Sequence, residues 1–136
     1  MIASRESAAE ILAAQPFSRL VGARLTEFAP GTAVLEVDIA DHLRQQYGLV
    51  HGGVLAYLVD NAISFAAGTA LGPSLVSTGF AVELVGNTRE GRLRAVGTVV
   101  HAAAGQAVCA VEVSAIQPDG STRVCAIAQG SAAVTG

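Results

Sequence analysis

From Val54 to Leu71 the chain is apolar almost all the way round a helical turn, not along one stripe. A helix of that kind has to be buried on every side, so the rest of the sequence must supply a cover for it. Asp60 stands in the middle of the run. A carboxylate is costly to desolvate, so this one is paired, or lies at a crevice, or is the working group of a site. The run is nearly long enough to cross a bilayer, but Asp60, Asn61, Ser64 and Thr69 interrupt it, and a soluble core helix is the expectation.

The cover is legible as strands. Gly22 to Ile39 reads as two strands joined at Ala29-Pro30-Gly31, with Ala33, Leu35, Val37 and Ile39 on the core face of the second. Asp41 to Val50 is polar and irregular, and the helix stops at Leu71-Gly72-Pro73. Strand-like runs follow at 75–85, 93–103, 107–117 and 122–133, with short turns that leave no room for helical crossovers. Ahead of all this, Ser7 to Ala14 predicts a short helix ending before Pro16, with Ser7 and Glu10 spaced as a capping box. The expected fold is α+β: a curved sheet of consecutive antiparallel strands around one helix, forming one domain over residues 1–136.

Composition narrows the partners. The net charge is -3 and the eight basic residues, all arginine, are scattered, which argues against a nucleic-acid partner. Cys109 and Cys125 fall in strand-like runs without metal-ligand spacing, and are expected to be small core residues in a reduced, cytoplasmic protein with no metal. No basic start leads into an apolar run, so neither a signal peptide nor a membrane partner is expected.

The stretch RQQYGLVHGGVLAYLVDNAIS, Arg44 to Ser64, resembles hotdog-fold thioesterases of the PaaI type, and the likeness extends from about Val21 to Gly130. Its signature is His51-Gly52-Gly53 followed, nine residues after the His, by an acid on the helix. The resemblance implies a hotdog fold and hydrolysis of an acyl-CoA or aryl-CoA thioester, with coenzyme A entering as part of the substrate and no separate cofactor. It implies Asp60 as nucleophile or general base, the Gly52 N–H as donor to the thioester carbonyl, and Gln45 as a holder of substrate or water. His51 would shape the turn beside Gly53, Ser64 would support the attacking water, and Ser77 or Thr78 would stand where relatives place a Ser. Where many relatives carry Arg-Pro this chain has Gly86-Asn87, and where they carry a basic residue near a His it has His101-Ala102-Ala103-Ala104. That leaves Arg89, Arg92 and Arg94 as substitutes to hold the phosphates of coenzyme A, or another thiol as the carrier.

The residues make a chemical case of their own. The first N–H groups of a helix lack intrahelical acceptors and sit at the positive end of its dipole, so Gly52 and Gly53 can donate to a developing oxyanion. At roughly 1.5 Å per residue, Gly52 and Asp60 lie about 12 Å apart along the axis, whereas both must come within roughly 3 Å of the reacting group. One helix cannot supply both. Asp60 of one subunit is therefore expected to face Gly52 of another across a dyad, in a homodimer or a dimer of dimers. Phe65, Tyr57 and Leu58 are candidates for lining the acyl pocket. Two other readings stay open: a dehydratase or hydratase using His51 with Asp60, and a non-catalytic module that binds acyl thioesters.

Overall fold

A computed structural model describes residues 4–135. The apolar run forms a single helix over Gly52–Leu71, the third of the chain (α3), preceded by α1 (Arg5–Ala13) and α2 (Pro16–Val21). Six strands surround it: β1 (Arg24–Ala29), β2 (Thr32–Asp38), β3 (Leu75–Leu84), β4 (Arg92–Ala103), β5 (Gln106–Ile116) and β6 (Thr122–Val134). They make one antiparallel sheet in the order β1-β2-β4-β5-β6-β3. This is the hotdog arrangement that the resemblance implies.

One expectation about the sheet fails. β3 does not pair with its sequence neighbour β4 but runs at the far edge beside β6, with Leu75 opposite Val134 and Leu84 opposite Ala126. β4 pairs instead with β2. The cause is α3, which lies between β2 and β3 in sequence. A helix of its 20 residues is about 30 Å long, enough to carry the chain across the sheet before the next strand begins.

The core forms where α3 rests on the sheet. Leu58, Val59, Ala62, Ile63, Ala66 and Ala67 are fully buried, as are Leu35 and Val37 of β2, Leu93 and Ala95 of β4, and Val113 of β5. A close approach occurs at Gly97 of β4, where a Cβ would stand 2.5 Å from the Ala62 carbonyl oxygen and 3.2 Å from the Ala66 Cβ. A chain with few aromatics packs by bringing backbone against backbone, which is why small residues line this contact. Cys109 and Cys125 are unpaired and buried there, as expected of small core residues.

The polar interruptions of α3 are accommodated individually. Thr69 is buried, accepting from the Gly31 N–H at 2.9 Å and donating to the Ala66 carbonyl at 2.7 Å. Asn61 donates to the Tyr57 carbonyl at 3.4 Å. Among the described residues α3 is the one helix long and apolar enough to cross a membrane, and 61% of its apolar window is buried inside the sheet. It is the core helix of this fold.

The N-terminal segment differs from expectation in two ways. Ser4, not Ser7, caps α1, its Oγ accepting from the Ser7 N–H at 3.1 Å. The Ser7–Glu10 capping box does not form, because Ser4 offers the same chemistry three residues earlier and Ser7 is already inside the helix. α2 is a further short helix. Pro16 opens it, where a missing N–H costs nothing, and Gly22 closes it with φ 83°.

Candidate active site

The turn into α3 is held from three sides. The His51 N–H donates to Leu43, the Val50 N–H to Thr88, and the Asn87 side chain to the Val50 carbonyl at 3.1 Å. His51 is the N-cap, its Nδ1 accepting from the Gly53 N–H at 2.8 Å, while its carbonyl accepts from the Val54 N–H at 2.9 Å. Two of the first three amides of α3 are thereby used. That of Gly52 has no acceptor among the described residues. The geometry separates two glycines that helix chemistry alone left equivalent: Gly53 serves the cap, and Gly52, to which the resemblance pointed, keeps its donor at the positive end of the helix.

Asp60 lies half-buried, two turns further on, with no hydrogen bond and no ion pair among the described residues. It lines a cavity of about 340 Å³ between α1, α3 and β3, with Ser64 and Ser77 beside it. The apolar wall comes from Ala8, Ile11, Phe28, Phe65, Leu75 and Val76. The Ser64 hydroxyl makes no bond back to its own helix, which leaves it available to a molecule in the cavity. Of the pair left open by the sequence, Ser77 faces this space, whereas Thr78 Oγ1 hydrogen-bonds Ser131 Oγ at 2.7 Å on the outer side of the strand. Of the three apolar candidates Phe65 lines the cavity. Leu58 is fully buried in the core, and Tyr57 faces a shallower depression that also includes Asp60, Asn61 and Phe80.

Gly52, Gly53, His51, Gln45 and Arg89 do not line that cavity within the same chain. Gln45 Oε1 accepts from the Tyr47 and Leu49 N–H groups at 2.6 Å and 3.3 Å, so its oxygen holds the turn ahead of His51. Arg89 donates to the Tyr47 carbonyl at 2.6 Å. Arg92 and Arg94 are engaged with Glu36 at 3.4 Å and 3.5 Å, together with Arg24 at 3.6 Å, away from the helix N-terminus. A basic residue that sequence reasoning missed stands nearer: Arg123 of β6 donates to the Asn87 carbonyl at 3.0 Å. It joins Arg89 and Arg44 around residues 86–90. At Gly86 this backbone leaves no room for a side chain, because a Cβ would lie 2.4 Å from the Val124 carbonyl oxygen.

Gln15, Asn61, Ala8, Ile11 and Phe28 were also missed as cavity residues. Asn61, next to Asp60, was within reach of sequence reasoning. The others come from segments that carry no local signal of what they will cover. Among the described residues no three His, Cys, Asp or Glu side chains converge to hold a metal ion.

The sequence pattern of the thioesterase superfamily matches residues 47–121, more than half of the chain, including His51-Gly52-Gly53, Asp60, Ser64 and Ser77. A thioesterase family protein from Silicibacter pomeroyi superimposes with a TM-score of 0.88 at 25% identity, over 98% of this chain and 100% of that one. The Escherichia coli PaaI protein superimposes with a TM-score of 0.81 over 96% of this chain and 92% of its own, and at 18% identity it shares the fold alone. Rv1847 of Mycobacterium tuberculosis, an esterase by designation only, is 34% identical over 64 residues, 47% of this chain. That match spans about half, 46%, of the curated relative's own length. With its hotdog fold and the matched signature at the head of α3, the chain belongs to the thioesterase superfamily.

Proposed function

We propose that this protein hydrolyses an acyl-CoA or aryl-CoA thioester to the free acid and thiol. The observation that carries the reading is Asp60, a carboxylate with no partner of its own that lines a cavity from the middle of an otherwise apolar helix. In this reading the acyl group enters the cavity, and the Gly52 N–H stabilises the negative charge that develops on the thioester oxygen. Asp60 attacks the carbonyl carbon or takes a proton from the attacking water, with Ser64 and Ser77 placed to hold that water. The coenzyme A phosphates are assigned to Arg89 and Arg123, each of which spends one guanidinium N–H on a backbone carbonyl and keeps others for an anion.

The same reading requires two subunits. Gly52 and Asp60 of one chain serve different substrates, because about 12 Å of helix separates them. β3 supports a second copy as the occupant of the open edge: it pairs on one side only and exposes Val76, Phe80 and Leu84, with Glu83 as its one charge. A long apolar edge strand of this kind is a template for pairing with another chain. Leu84 is also the side chain nearest Gly52, 3.3 Å from where a Cβ would stand. Pairing at this edge would therefore bring a second subunit close to the oxyanion donor.

Thiol release from a panel of acyl-CoAs tests the chemistry. Asp60→Asn is expected to lower kcat by about a hundredfold or more with an unchanged Tm. Equal turnover by both proteins would refute the proposal. Binding without turnover in the wild type would favour an acyl-thioester binding module.

A further inference from the structure

Between α1 and α2 the chain places a polar relay against the Asp60 side of the helix. Ser18 is 2% exposed, yet its hydroxyl has two partners: it donates to Gln15 Oε1 at 2.6 Å and contacts the Tyr57 hydroxyl at 2.6 Å. A hydroxyl carries a single proton, so with Ser18 donating to Gln15, the Tyr57 O–H donates to Ser18. Tyr57 is fixed in turn by the Phe17 ring, edge-on at 5.4 Å between centroids. Burial raises the Tyr57 phenol above its ordinary range, with the Ser18 contact opposing and the Asp60 charge adding to the shift, so the hydroxyl keeps the proton it donates. The relay ends at Gln15, whose oxygen is thus occupied. Its two amide N–H donors remain, and Gln15 makes no capping bond to its own helix α2.

Gln15 also lines both hollows that meet at Asp60: the cavity with Ser64 and Ser77, and the shallower depression with Tyr57 and Phe80. Few side chains do so; Asn61 is the other besides Asp60. We propose that Gln15 is a substrate-positioning residue, contributed by the N-terminal segment and oriented by Ser18 and Tyr57, whose amide N–H donates to an amide carbonyl oxygen of the pantetheine arm of the bound thioester, an oxygen that the reaction leaves unchanged. The proposal rests on the thioesterase reading and adds to it a donor outside the matched superfamily segment. Such a donor acts equally on bound substrate and transition state, so its loss raises KM and spares kcat.

The test compares Gln15→Ala, Gln15→Glu, Ser18→Ala and Tyr57→Phe on benzoyl-CoA and hexanoyl-CoA, with Tm measured for each. Gln15→Ala is expected to raise KM about three- to tenfold, the worth of one neutral hydrogen bond, with kcat within about twofold. Gln15→Glu keeps an acceptor for Ser18 but removes the N–H donor and sets a second carboxylate beside Asp60. The proposal has it at least as impaired as Gln15→Ala, whereas a purely structural Gln15 would be rescued by Glu. Ser18→Ala and Tyr57→Phe should raise KM by smaller factors in the same direction. A wild-type KM in Gln15→Glu, or a change confined to Tm, overturns the proposal. Should the wild type turn over neither these two nor any other thioester of the panel, the hydrolytic reading fails separately, and calorimetric binding of hexanoyl-CoA decides: unchanged affinity in Gln15→Ala overturns the role, and weaker affinity supports it.

Discussion

Two alanine substitutions, one in β4 and one in α3, are expected to move stability in opposite directions. At Gly97 the new methyl would lie 2.5 Å from the Ala62 carbonyl oxygen and 3.0 Å from its carbon, both backbone atoms of α3 that no rotamer change can move. Overpacking of this kind costs about 1–3 kcal/mol, and a backbone partner puts it at the upper end. Relief of glycine's extra unfolded-state entropy offsets about 0.5–1 kcal/mol, leaving a net loss of about 2 kcal/mol. At Gly68, inside α3, the methyl would meet only Leu75 Cδ2 at 3.9 Å, ordinary contact, so helix propensity dominates and Gly68→Ala gains about 1 kcal/mol. For a chain of 136 residues, an unfolding entropy of about 2.1 cal/mol/K per residue makes 1 kcal/mol worth about 3.5 °C. Thermal unfolding followed by circular dichroism should show Gly97→Ala falling by about 7 °C and Gly68→Ala rising by about 3 °C. Relaxation of the Gly97 clash lifts the part of α3 that carries Asp60 and Ser64, so turnover should fall further than stability alone explains, by up to about a hundredfold for a displacement near 1 Å. A Tm for Gly97→Ala equal to or above the wild type would refute the account of how α3 seats on β4.

Further outcomes follow from other parts of the molecule. Phe80→Glu puts a charge on the open edge of β3, and size-exclusion chromatography should find a monomer without thioesterase turnover; a stable, active oligomer would remove β3 as the pairing edge. His51→Ala removes the cap on Gly53 and should cost about 1 kcal/mol, or about 3 °C of Tm; no change in Tm would mean the cap contributes nothing. Burial pushes the Cys109 thiol from 9.0 to about 11, so the neutral form is the one the fold favours. That contribution is complete below pH 9 and is lost as pH rises towards 11, so Tm should fall over this interval, and Cys109→Ala should flatten the fall. An equally steep fall in the variant would assign the alkaline loss to other groups.

Much of the candidate site's geometry was legible because it is local. His51, Gly52, Gly53, Asp60 and Ser64 sit on one helix and its cap, and helical periodicity fixes their relative positions without reference to anything else. Helix chemistry alone did not choose between Gly52 and Gly53, although the resemblance pointed to Gly52, since the choice depends on which amide the His51 ring accepts from. The choice between Ser77 and Thr78 was not legible. It turns on the strand's facing and on an irregularity in pairing between Ser77 and Gly79. Arg123 and Gln15 lie 63 residues after and 45 residues before Asp60 in the chain, and nothing near either announces the site it reaches.

The sequence by itself determined that one helix would be buried on all sides, that antiparallel strands would cover it, and that a carboxylate would stand in its middle. Those are consequences of hydrophobic periodicity and of the cost of desolvating charge, both properties of short stretches. The tertiary structure decided that β3 runs at the edge beside β6, that α1 and Gln15 close over the Asp60 cavity, and that the Gly52 amide is the one left unsatisfied. Each of these depends on contacts between segments far apart in the chain, where many pairings satisfy the same local pattern and only the packing of the whole selects one.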